Sequence, residues 1–136
     1  MTTELTALIC AVLIQVLAIA LAGAQMNREL GARYNAGPRD VAAHFSTRLG
    51  RLRRAVSNGF EGLAMFAPTV LVVVIAGQTS PLTAIAAWIY VAARLFYIPA
   101  YALGLAPWRS LIWLIGLIAT LALAGAALFG PVPTGA

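Results

Sequence analysis

The sequence predicts an all-α integral membrane protein, a four-helix bundle with up-down connections, and three observations predict it. Hydrophobic residues make up 62% of the 136-residue chain and charged residues 10%, far from the balance of a soluble domain. Four apolar runs are each long enough to cross a bilayer as helix, which takes about 20 residues. Seven of the nine cationic residues, all Arg, fall between Arg28 and Arg54, directly after the first apolar run.

The runs span residues 5–25, 55–77, 82–105 and 108–129. Backbone polar groups in lipid must be satisfied within the segment, and the runs are Leu- and Ala-rich without period-two alternation, so each is expected as a helix. Ala22-Gly23-Ala24 looks like a signal-peptidase site. However, Met1-Thr2-Thr3-Glu4 carries no positive residue and the run is too long for a signal core, so the first helix is expected to be retained. In the long basic connection, Asn35-Ala36-Gly37-Pro38 is a turn, with Pro38 suited to a first helical position. Val41, Phe45, Leu49 and Leu52 then fall three or four apart. The second helix is accordingly expected over 39–77, including an amphipathic extension at the membrane interface. Gln78-Thr79-Ser80-Pro81 and Ala106-Pro107 are tight turns that make antiparallel neighbours of the last three helices. A chain of this length leaves room for one domain, 1–136.

Charge placement sets orientation. The first connection holds seven Arg and the third has Arg109 at its edge, whereas the N-terminal tail, second turn and C-terminal tail hold none. By the positive-inside rule both termini face away from the cytoplasm. The net charge of +5 contains no Lys, and its Arg lie beside a span. Membrane lipid headgroups are therefore the expected partners, not nucleic acid. Cys10, the one cysteine, excludes an intrachain disulfide, and His44 has no neighbours at metal-ligand spacing, so no metal is expected.

The polar residues inside the spans carry the functional signal. Arg51, Arg54, Asn58 and Glu61 recur at three, four and three residues, on one face of the second helix. Tyr90, Arg94, Tyr97 and Tyr101 recur at four, three and four on the third. Ionisable groups in spans face a bundle interior or watery cavity and pair with one another. Glu61 and Arg94 are opposite in sign and, in antiparallel helices, meet in the cytoplasmic half; a Glu61–Arg94 pair is expected there. The surplus is cationic and suits an acidic ligand held by Arg forks and Tyr hydroxyls. Pro68 and Pro99 are expected to kink their helices, and Trp88, Trp108 and Trp113 to anchor or pack.

Arg54-Ala-Val-Ser-Asn58-Gly-Phe-Glu61 followed by Phe66-Ala-Pro68, and Arg94-Leu-Phe-Tyr97-Ile-Pro-Ala-Tyr101, resemble the helix-two and helix-three signatures of the membrane-associated proteins in eicosanoid and glutathione metabolism. The chain looks most like the short bacterial members, which would put it in the bacterial inner membrane. The resemblance implies a homotrimer with glutathione bound between protomers near the cytoplasmic face. It also implies that a lipophilic electrophile is conjugated or a peroxide reduced. Arg54, Asn58 and Glu61 would hold the glutathione backbone and carboxylates, Arg94, Tyr97 and Tyr101 would add contacts, and Arg51 would stand at the mouth. Arg109 is the candidate for the catalytic Arg that stabilises the thiolate in the synthase branch. Gly62 follows Glu61 where the leukotriene-synthase branch places a Tyr. A second function class fits the same residues: a non-catalytic membrane scaffold binding anionic lipid or a protein partner. Transport fits less well, because no internal repeat is found.

Overall fold

In the computed structural model, which describes residues 1–130, four helices are long and apolar enough to cross a membrane. The C-terminal tail from 131 onward, one of the segments used for orientation, lies outside the described residues. Helix α1 (Thr3–Leu30) is capped by Thr2, whose Oγ1 accepts from Leu5 N at 3.3 Å, and stops at Gly31, where φ is +83°. A short helix, α2 (Ala32–Ala36), follows in the connection. The remaining helices are α3 (Thr47–Ile75), α4 (Pro81–Ala102) and α5 (Trp108–Phe129). Ser80 and Thr83 form a reciprocal capping box at the start of α4, with Pro81 in the first turn.

The expectation of one helix over 39–77 fails in its first two turns: α3 begins at Thr47, not at Pro38 or Arg39. Two local causes act. Arg39 takes a left-handed φ of 59°, with its Nε and Nη2 donating to Asn35 O at 3.0 and 2.6 Å. Ser46 then adopts extended backbone and caps α3, its Oγ accepting from Leu49 N at 3.1 Å. Glu29, at the end of α1, fixes that cap by accepting from both Ser46 N and Ser46 Oγ. Leu49 and Leu52 are buried as the periodicity implied, whereas Val41 and Phe45 are exposed on the irregular segment. At the other boundary α4 ends at Ala102, three residues before the expected 105, because Gly104 turns the chain at φ +69°.

Helices α3 and α4 form the centre. Each packs on the other and on both α1 and α5, while the backbones of α1 and α5 do not approach each other closely. The apolar core, including Ala7, Ala11, Phe66, Val70, Tyr90 and Leu123, fills the half of the bundle away from the arginines. Phe66 and Tyr90 stack with ring centroids 3.7 Å apart. Large apolar side chains such as Ile9, Leu13, Phe96 and Ile118 point outward, while Glu4, Gln15, Thr83 and Arg94 are buried. That distribution inverts the soluble pattern and suits a lipid solvent. Two of the buried polar side chains are held across helices: Glu4 meets Thr83 Oγ1 at 2.6 Å, and Gln15 Nε2 donates to Val56 O at 2.9 Å.

Helix lengths explain where the site lies. The Glu4–Thr83 contact sets the starts of α1 and α4 level. At 1.5 Å per residue, α1 and α3 run about 42 Å and α4 and α5 about 33 Å. The first pair therefore overshoots the second by roughly 10 Å, all of it at the arginine-rich end. Arg54 and Tyr101 stand about 32 and 30 Å from the opposite ends of α3 and α4, and so share a level.

Candidate functional site

Two layers of polar side chains line the arginine-rich half of α3 and α4. The deeper is built around Arg94, which is only 7% exposed. Its Nη1 donates to Asn58 Oδ1 at 2.9 Å, and its guanidinium carbon lies 5.1 Å from the Tyr90 ring centroid and 5.6 Å from that of Tyr97. A Cβ added at Gly62 would stand 2.0 Å from Nη2, 2.5 Å from Cζ and 3.0 Å from Nε. The whole guanidinium thus lies across the backbone of α3, in a slot only glycine leaves open.

The expected Glu61–Arg94 pair does not form. Glu61 is exposed on the chain, and among the described residues it makes no ion pair. Helical geometry accounts for this. Glu61 and Gly62 fall on either side of the line through Asn58, and Arg94 takes the side where glycine leaves space. Arg94 is a buried cation held by an amide oxygen and aromatic faces, an arrangement that partly offsets desolvation. Its Nε and the Tyr90 hydroxyl are buried without partners, beside a cavity of about 10 Å³ also lined by Gln15 and Gly59. That is room for about one water.

The upper layer surrounds Tyr101. Arg54 Nε donates to its hydroxyl at 3.2 Å, Arg109 of α5 sits with Cζ 4.9 Å from its ring centroid, and Tyr97 meets it edge-on at 5.5 Å. Arg51 reaches from α3 to the turn after α4: a Cβ on Gly104 would stand 2.5 Å from its Cζ. Position 104 thus needs glycine twice, for its positive φ and for the guanidinium lying on it. Three guanidiniums converge around Tyr101 and Gly104, and none is ion-paired among the described residues. Glu61 lies within electrostatic reach of Tyr97, as do Arg94, Arg109 and Tyr101.

Of the eight candidate site residues, Arg54, Asn58, Arg94, Tyr97, Tyr101 and Arg109 are linked by hydrogen bonds or ring contacts, Arg51 lies on Gly104 beside them, and Glu61 makes no such contact among the described residues. Tyr90 belongs to the core, under Arg94. Sequence reasoning missed Gly104 and read Gly62 only as a departure from one branch of the resembled family. The signal for each was a glycine within an arginine's reach across a helix pair, invisible until the register is known. His44 is exposed on the α1–α3 connection, and no group of metal-binding side chains occurs among the described residues.

A family model described as the MAPEG family matches residues 3–129. The chain belongs to the MAPEG family. Its four long apolar helices are accordingly membrane spans, and it is an integral membrane protein of a family associated with glutathione chemistry. No curated protein and no solved structure matches the chain.

Proposed function

We propose that this MAPEG member is a membrane-embedded glutathione-dependent transferase or peroxidase acting on a lipophilic electrophile. The observation that carries the reading is the charge pattern of the upper layer. Arg51, Arg54 and Arg109 are three cations without a carboxylate partner among the described residues, and Glu61 is an unpaired carboxylate nearby. Ionised glutathione is the complement, with two carboxylates and a thiolate against one ammonium. Arginine forks match carboxylates, and Asn58 and the Tyr97 and Tyr101 hydroxyls stand along the same wall.

In this reading Arg109 faces the sulfur. A free thiol has a pKa of about 8.5, and a nearby guanidinium lowers it, raising the fraction of reactive thiolate. In transfer, the thiolate attacks an electrophilic carbon, a carbon–sulfur bond forms, and the displaced group leaves with the electron pair and takes up a proton. The electrophile arrives through the lipid. The positive-inside rule puts the arginine-rich end in the cytoplasm and both termini on the far side, in a bacterial inner membrane. Glu61, exposed on the single chain, fits a site completed by a neighbouring copy in a homotrimer.

Calorimetry of glutathione against the purified protein in detergent tests the proposal, with Arg54→Ala/Glu61→Ala as control. Saturable binding lost in the double variant supports it. No binding by the folded wild type overturns it. Arg109→Ala should keep binding and lose about 10²–10³ in turnover, the usual effect of removing one charge-stabilising group. Absence of turnover in both proteins across an electrophile screen would favour the non-catalytic scaffold.

A further inference from the structure

On the far side of α4 from Tyr101 lies a groove of about 530 Å³ between α1 and α4, sharing no residue with the site above. Its walls are apolar: Leu17, Leu21 and Ala24 on α1, with Phe96, Pro99 and Leu103 opposite. Its end is not. Gln25, Arg28 and Arg48 close it at the arginine-rich face of the bundle. We infer that this groove is a binding site for one phospholipid with an anionic phosphodiester headgroup, its acyl chain along the walls and its phosphate between Arg28 and Arg48.

Three features of the groove argue for that occupant. The first is length. From Leu17 to Arg28 the helix rises about 16 Å, close to the roughly 15 Å of hydrocarbon in one leaflet. Leu17 lies just past the middle of the first apolar run, so the groove occupies the leaflet on the arginine-rich side and no other. The second is charge. Arg28 and Arg48 are exposed, and neither is ion-paired among the described residues. Glu29, the residue after Arg28 and within electrostatic reach of Arg48, accepts from Gln25 Nε2 at 2.7 Å and from Ser46 N and Oγ, and is committed to the α3 cap. The two cations less that carboxylate leave one net positive charge, matching a singly charged phosphodiester. Paired guanidiniums also match phosphate oxygens in geometry.

The third is shape. Pro99 has no amide hydrogen to donate to the carbonyl of Leu95, and both residues line the groove. Phe96 and Leu103 are exposed at either side of Pro99, so the groove is open toward lipid along that face. The groove lies on the bundle's apolar exterior, so a lipid fills it without leaving the bilayer.

The test is native mass spectrometry of the full chain from detergent, after incubation with phosphatidylglycerol, phosphatidylethanolamine or palmitate in separate arms. Phosphatidylglycerol should be retained through detergent exchange at least about ten-fold better than phosphatidylethanolamine, and should raise the melting temperature. Arg28→Gln/Arg48→Gln should abolish the preference. Leu21→Trp, which leaves the arginines intact and fills the groove, should abolish retention, and it keeps the test readable where the double variant does not fold. Equal retention of the two phospholipids by the wild type overturns the site. Retention of palmitate as strong as that of phosphatidylglycerol overturns the phosphodiester assignment. Unchanged preference in a folded double variant, or unchanged retention in folded Leu21→Trp, places the lipid elsewhere and also overturns it.

Discussion

Gly62→Ala separates local propensity from the packing described above, because the two predict opposite signs. Gly62 lies inside α3, where alanine is the better helix former by about 0.8–1.0 kcal/mol. Propensity alone predicts that the variant melts higher. The structure predicts the reverse. The new methyl would stand 2.0–3.0 Å from three atoms of the Arg94 guanidinium, so the head group as a whole must move. It has nowhere cheap to go, being 7% exposed, bonded to Asn58 and flanked by Tyr90 and Tyr97. Losing the charged hydrogen bond removes about 1.5–3 kcal/mol, and weakening the ring contacts about 0.5–2 more. Against the propensity gain, the net is a loss of roughly 1–4 kcal/mol. Reversible unfolding in mixed micelles reads this directly, and the deciding comparison is a second background. In Arg94→Leu the slot holds no guanidinium, and Gly62→Ala should there stabilise by up to about 1 kcal/mol. The same sign in both backgrounds would refute the reasoning.

Three further outcomes are expected. Since Glu61 and Arg94 are not partners, Arg94→Leu and Glu61→Leu should add within about 0.5 kcal/mol in unfolding titrations; strong coupling would restore the pair. Gly104→Ala should lose about 1–2 kcal/mol from the left-handed backbone. It should also weaken glutathione binding roughly ten-fold or more by moving Arg51, and calorimetry on Gly104→Ala with and without Arg51→Gln shows whether that weakening runs through Arg51. Thr83→Val strips the buried Glu4 of its partner and should cost about 1–3 kcal/mol, while the double variant with Glu4→Leu should melt closer to wild type.

The spans were legible because lipid leaves the chain few options: long apolar runs, tight Pro-containing turns and one arginine cluster can be placed by length and charge alone. The two stripes were legible for a related reason, since polar residues in spans repeat with the helix. Three things were not. The start of α3 was misread because the spacing of Val41, Phe45, Leu49 and Leu52 mimics a helix. What decides the boundary is Glu29 gripping Ser46, a contact across 17 residues. The Glu61–Arg94 pair was inferred from depth and sign, and those cannot distinguish two adjacent residues pointing to different sides of a helix. Gly62 and Gly104 matter through the space they leave, and space becomes visible only once helix is laid on helix.

The unequal helices, described above as a matter of length, create a ledge. The α4–α5 hairpin stops about 10 Å short of α1 and α3, so Tyr101 and Gly104 form its floor, level with Arg54, and Arg51 stands on its riser. A ledge at that height stands where water ends and oil begins. Reagents that dissolve in different phases ordinarily meet only across the thin area of the interface, and their encounter rate is limited by whichever is scarcer in the other's solvent. A polar shelf let into an apolar wall removes that limit, since each reagent can reach it without leaving its own phase.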